Sequence, residues 1–428
     1  MRGQVMSAYE GARSGLLNAV KSRTALLAGF TFASRVLTAA IGLLTSVVTA
    51  KALGPQGRGY FAVGVTIGAM AVQFANMGLH AANTRYVAKD ARLVSPLLAN
   101  SLLVGLGLGG LLSAALWAVF RTHAASSPLH DPALALALAY VPVGLTLLLL
   151  QNLLVGLNRI HEFNLIEIAS RVLVLVLILG FLLTGALSLN TALSAALAGV
   201  TVGLVLVLAR LAPSLKTLRL PSRALFRRCL NFGFRAYLVS VFGFVVLRAD
   251  LLMVRYMLGP AEAGYYSVAS SMGDILNLLP AAVATVVFPR LVQCETEVER
   301  LQATKAAATL LGIAMLGVAA VCCLMARPLV GILYGKAFLK AVGPFMILAA
   351  AMVFYGTNTL LSIHFAALGF PVMSILAWLL VAALNIGMNI IVIPRYGIMG
   401  AAVSSFVCYF AIFALHLLML AKRRLSER

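Results

Sequence analysis

Charge is what this chain has least of. Only 11% of its 428 residues are charged, and just 12 are acidic. A soluble chain carries about 25% charged residues, so a water-exposed globular protein is excluded. Cysteine is sparse too: Cys229, Cys294, Cys322, Cys323 and Cys408 form no CxxC pair and no Cys/His metal spacing. Free thiols are expected, with no metal and no cofactor. No nucleophile–base constellation or Gly-rich phosphate loop occurs, and no segment between apolar runs is long enough for a catalytic domain, so an enzyme is not expected. The opening MRGQVMSAYEGARSGLLNAVKSR lacks the apolar core and cleavage site of a secretory signal. It reads as a basic cytoplasmic lead-in at the lipid surface.

Hydrophobic residues make up 62% of the chain, and mean hydropathy is +1.01. Twelve apolar runs of membrane-spanning length follow one another, at 25–50, 59–83, 97–119, 133–156, 164–184, 190–211, 229–257, 262–290, 305–326, 340–363, 369–393 and 398–421. The expected fold is all-α: a polytopic membrane protein of about 12 transmembrane helices in two pseudo-symmetric six-helix lobes. The expected organisation is a lead-in at 1–24, an N-terminal lobe at 25–211, a basic cytoplasmic linker at 212–228, a C-terminal lobe at 229–421 and a tail at 422–428.

The net charge of +21 suggests nucleic acid, but its distribution does not. With both termini inside, 21 of the 33 lysines and arginines fall in inward segments and 8, Arg58 among them, in outward ones. The remaining four, Arg35, Arg171, Arg235 and Arg248, lie within runs. The bias obeys the positive-inside rule and places both termini in the cytoplasm. Most of the basic excess is thus explained by topology, with no nucleic-acid partner.

One loop is written twice. Residues 53–63 read LGPQGRGYFAV and residues 258–268 read LGPAEAGYYSV, seven positions matching at a constant offset of 205. The first copy links runs 1 and 2, the second runs 7 and 8, so both face outward. An even number of crossings separates them, which makes the repeat parallel. Two lobes related by an axis along the membrane normal are expected, with the site between them near mid-membrane.

The pattern AKALGPQGRGYFAV after SRVL, the stretch LRADLLMVRYMLGPAEAGYYSVASSMGDILNLLPAAVATVVFPRL and RYGIMGAAVSSFVCYF resemble polysaccharide-type flippases. These belong to the multidrug/oligosaccharidyl-lipid/polysaccharide exporter superfamily, with multidrug extruders and lipid II flippases. The resemblance implies translocation of a polyprenyl-pyrophosphate-linked oligosaccharide from the cytoplasmic to the periplasmic leaflet of a bacterial inner membrane. The product would enter O-antigen, capsule or exopolysaccharide synthesis, with a polymerase and chain-length machinery as partners. Lipid II flippases match Ser34-Arg35-Val36-Leu37, where the arginine lines the cavity, but they continue with Arg-Asp where this chain has Ile41-Gly42. That departure argues against lipid II as cargo. A multidrug extruder of the same superfamily is the alternative; one for cationic drugs would place acids in the N-terminal lobe, whose first four runs hold none. A membrane polysaccharide polymerase or ligase needs a larger outward loop than any present.

Ionisable groups inside spans are costly and mark function by default. Arg35 sits about 15 Å into run 1 at 1.5 Å per residue and is expected to meet the pyrophosphate. Arg248 is the second candidate and Asp274 the resting counter-ion. Ser267, Ser270, Ser271, Asp274 and Asn277 share one face of run 8. Gln73, Asn76 and Asn358 are further candidates for sugar hydroxyls, weighed against helix–helix hydrogen bonds worth about 0.6 kcal/mol each.

Overall fold

The computed structural model describes the backbone over 2–123, 127–216 and 221–426, and side chains over 29–123, 127–215 and 221–422. The side chains of the expected lead-in and of most of the tail lie outside these residues, as do linker residues 217–220. All regular elements among the described residues are helical.

Ten helical stretches among the described residues are long and apolar enough to cross a membrane. Two of them are double-length. Gly29–Ala75 breaks at Gly54, and Val372–Lys422 breaks at Gly397, both glycines having positive φ. Breaking both yields twelve crossings: α1 (29–53), α2 (55–75), α3 (Ala91–Thr122), α4 (Ala133–Gly156), α5 (Ile160–Leu183), α6 (Leu189–Arg210), α7 (Arg223–Leu258), α8 (Pro260–Gln293), α9 (Glu297–Leu324), α10 (Lys336–Ala367), α11 (372–396) and α12 (398–422). After a left-handed Gly78, α2 continues as Leu79–Lys89. α7 begins at Arg223, inside the expected linker, capped by Ser222. Asn100 of α3 holds that entry through two hydrogen bonds to the Ser222 backbone, at 2.9 and 3.2 Å.

The repeated loops set the architecture. Gly54 adopts φ 66° and Gly259 φ 98°, each followed by a proline that opens the next helix. Glycine alone takes these values without strain, and proline fits the first helical position. We call this end of the bundle the LGP end and the other the linker end.

At the LGP end the two copies pack on each other. A Cβ at position 59 would lie 1.8 Å from the Pro260 carbonyl oxygen, and one at 264 would lie 1.9 Å from the Pro55 carbonyl oxygen. Both pairs are related by the 205-residue offset. The contact is reciprocal, as at a two-fold interface. The duplicated loop is therefore the surface by which each half meets the other. Apolar cores also cross the lobe boundary: Ala50, Phe61, Ala62 and Val63 share one core with the C-terminal lobe, and at the linker end Leu225 and Cys229 of α7 join the N-terminal lobe's.

A second seam joins α2 to α7 toward the linker end. A Cβ at Gly78 would lie 2.4 Å from the Gly233 oxygen, and one at Gly233 2.3 Å from the Gly78 oxygen. Gln73 donates to Ser240 at 2.6 Å, Tyr237 donates to the Phe74 carbonyl at 2.7 Å, and the Arg85 guanidinium lies 4.1 Å over the Phe232 ring. Lipid offers no hydrophobic drive between helices, so close backbone approach and hydrogen bonds hold such seams.

Reciprocity has a measurable consequence. Gly59→Ala and Gly264→Ala should each destabilise the purified protein by about 1–3 kcal/mol, the range for overpacking, and by similar amounts. Thermal unfolding in detergent checks this. One substitution harmless and the other severe would contradict the symmetric contact.

Candidate functional site

Opposite the closed α2–α7 seam, α1 and α8 diverge. The space between them is a cleft of about 520 Å³, lined by residues of α1, α8, α5 and the end of α4. Its α1 wall is Thr31, Ser34, Arg35 and Thr38, a set whose spacings of three and four place it on one helix face. Ser34 and Thr38 donate back to their own helix, to the Phe30 and Ser34 carbonyls at 2.8 and 2.9 Å. Asn164 of α5 donates to Thr31 at 3.2 Å and fixes this wall against its neighbour.

The α8 wall exists because that helix breaks. Asn277 separates Pro260–Leu276 from Leu278–Gln293, and Pro280 follows in the first turn beyond the break. Asp274, Asn277, Leu278 and Ala281 face the cleft there.

The charges are unequally satisfied. Arg248 of α7 donates to Asp274 at 2.8 Å and to Ser270 at 3.3 Å. Glu167 of α5, also in the lining, pairs with Arg171 at 4.0 Å. Arg35 makes no ion pair or side-chain hydrogen bond among the described residues. The two carboxylates in the lining are thus paired with Arg171 and Arg248 outside it, and the lining's own arginine, Arg35, is exposed to the cleft without a carboxylate partner among the described residues.

Of the residues expected from sequence, the structure brings Arg35, Asp274 and Asn277 into one cleft, with Arg248 behind Asp274. Asp274, expected as the resting counter-ion, pairs with Arg248 and not with Arg35. Gln73 lies in the α2–α7 seam, bonded to Ser240. Asn76 is fully buried and accepts from His80 at 2.8 Å. Asn358 is 1% exposed and bonded to His416 at 2.7 Å inside the C-terminal lobe. All three amides are away from the cleft lining: Gln73 and Asn358 bond across to neighbouring helices, and Asn76 bonds within its own segment.

Two further charges are buried away from the cleft lining. Asp250 accepts from Tyr266, from Ser405 at 2.9 Å and from the Leu251 amide at 2.7 Å. Arg58, expected on the outward surface, is 6% exposed and lies inside the LGP end. The available signal was the repeat itself, which has Ala263 at the equivalent of Arg58.

Comparisons with known proteins agree with this architecture. A family model described as "Polysaccharide biosynthesis protein" matches residues 28–295. The probable low-salt glycan biosynthesis flippase Agl15 of Haloferax volcanii is 26% identical over 241 residues, 55% of this chain. The match spans about half the length of that relative, 50%. Among solved structures, the lipid II flippase MurJ in an inward closed conformation superposes with TM-score 0.73 at 16% identity, covering 92% of this chain and 87% of that one. An inward-facing multidrug resistance MATE family transporter of the MOP superfamily gives 0.71 at 17% identity, covering 90% and 94%. At these identities the superpositions establish the fold.

The Arg248–Asp274 pair should behave as a unit. Arg248→Met and Asp274→Leu are each expected to destabilise the protein, and the double variant by less than their sum. The expected coupling is about 0.5–3 kcal/mol, as for residues in direct contact. Additive melting shifts would show that the pair contributes nothing as a pair.

Proposed function

Because the chain belongs to the polysaccharide biosynthesis protein family, we propose that it is a flippase for a polyprenyl-pyrophosphate-linked oligosaccharide, which it carries from the cytoplasmic to the periplasmic leaflet of a bacterial inner membrane. The distribution of lysine and arginine supports the orientation: linker end and both termini in the cytoplasm, LGP end outside. On that reading the cleft opens inward. The surface polysaccharide supplied is O-antigen, capsule or exopolysaccharide, and a polymerase with its chain-length machinery takes up the product.

The observation that carries the proposal is Arg35. An arginine at the bilayer centre costs about 2.5–3.5 kcal/mol on insertion scales. Here it has no acid of its own, but it stands in a cleft that water and an anion can enter. A guanidinium binds phosphate oxygens through two parallel N–H groups. Thr31, Ser34, Thr38, Asn164 and Asn277 surround it with groups suited to sugar hydroxyls. The divergence of α1 from α8 leaves a side opening through which a polyprenyl tail can stay in lipid. The excess positive charge argues against a multidrug extruder of cationic compounds. Alternating access then follows from two seams: lobes that rock around the cleft would open the LGP end as α1 and α8 close. The two lobes follow the division proposed from sequence, 25–211 and 229–421, with the first helix of the second lobe reaching back to Arg223 within the 212–228 tether.

Deletion of the gene should trap lipid-linked repeat units on the cytoplasmic leaflet. Arg35→Ala should fail to restore export at normal protein levels, and Arg35→Lys should restore it by tenfold less than the unaltered protein. Normal export by an inserted Arg35→Ala protein would remove the arginine from the site. Single repeat units accumulating outside the deletion strain would point to a polymerase instead.

A further inference from the structure

The least expected group in the structure is Arg58. Its guanidinium donates to Ser46 at 3.0 Å, Thr49 at 3.2 Å and Ser271 at 3.2 Å, and Ser46 also bonds Tyr334 at 3.0 Å. Every partner is a hydroxyl. It makes no ion pair among the described residues, and its Nε is buried without a partner. A buried arginine held only by neutral groups is costly. Its equivalent in the second copy is Ala263, so the loop can be built without it.

The location gives this cost a purpose. Ser271 belongs to the polar face of α8, which continues through Ser270 and Asp274 to Asn277. Arg248 bonds to that face at Ser270 and Asp274, and Asn277 lines the cleft. From Ser271 to Asn277 is about 9 Å, and from Arg35 to Ser46 along α1 about 16 Å, at 1.5 Å per residue. Three arginines therefore climb one polar path, from the cleft to the LGP end. The topmost one is sealed by contacts from the opposite lobe, Ser271 and, through Ser46, Tyr334.

We propose that Arg58, with Ser46, Thr49, Ser271 and Tyr334, is a second pyrophosphate-binding station, closed while the lobes meet at the LGP end and exposed when they part. Parting removes the C-terminal lobe's hydroxyls and leaves the planar guanidinium free to take two phosphate oxygens. The group enters at Arg35 and leaves from Arg58, so the headgroup keeps a cationic partner across the apolar layer. The identity of the anion rests on the transport reading above; the existence of an anion site at Arg58 does not.

The test uses a full-length variant in nanodiscs with its five native cysteines replaced and the cleft closed by a Thr31→Cys/Ala281→Cys disulfide. The probes are inorganic pyrophosphate and farnesyl pyrophosphate, followed by titration calorimetry. In the closed-cleft form, Arg58→Gln should weaken binding of both by tenfold or more. Arg58→Lys, which keeps the charge, should weaken it by less, and Arg35→Gln by less than twofold. Without the disulfide the order should reverse, with Arg35→Gln the damaging change. Tighter binding of the prenylated probe supports a lipid-borne anion, whereas equal affinities overturn that source in favour of free phosphate. If the closed-cleft form binds neither probe, or binds them equally well after Arg58→Gln, Arg58 is only a latch and the station is refuted. Binding through Arg58 in a protein whose deletion traps no lipid-linked units would sink the transport reading and leave this site standing.

Discussion

Two glycines and two prolines face each other at one end of this molecule with no room for a methyl group. Gly59 lies against the Pro260 carbonyl and Gly264 against the Pro55 carbonyl, backbone to backbone across the lobe boundary. The contact involves no charge and rests on close backbone approach, which packs helices in lipid. It closes the bundle at the LGP end and sets the axis about which the halves are related. Because it is local, it leaves the far ends of the lobes free. There the symmetry is broken: α2 and α7 meet through Gly78 and Gly233, while α1 and α8 stand apart around the cleft. A closed end, a closed seam and an open seam are what a carrier with one accessible face requires.

The few buried or cleft-lining charges are distributed by the same plan. Arg248 and Asp274 neutralise each other between α7 and α8. Asp250 is held by Tyr266, Ser405 and a backbone amide, away from the cleft lining. Arg58 is held by hydroxyls at the closed end, and Arg35 stands open in the cleft. Removing any of these groups from water is costly. Each is therefore either satisfied by neighbours or left where solvent and an anion can reach it.

The sequence showed those features whose signal is periodic. The 205-residue repeat foretold the paired LGP loops, since only glycine takes the φ of Gly54 and Gly259 readily. The spacing of Ser267 to Asn277 foretold one polar face of α8, which the structure turns toward Arg58, Arg248 and the cleft. What was hidden is pairing between distant helices. Gln73 and Asn358 look like free sugar-binding amides along their own helices, yet their partners Ser240 and His416 come from other helices and are fixed by packing. Arg58 was hidden because the apolar run seemed to begin at residue 59, just beyond it. The helix starts at Pro55 and carries the arginine inside.

The central claim is that the LGP end and the cleft open in alternation. Spin labels on Gln56 and Arg327 report the LGP end, and labels on Ala33 and Val292 report the cleft. Pulsed dipolar spectroscopy in nanodiscs measures both distances as a polyprenyl-pyrophosphate sugar is added. The account predicts that the second distance shortens as the first lengthens, within one population. Distances that stay fixed, or that change together in the same direction, would contradict it.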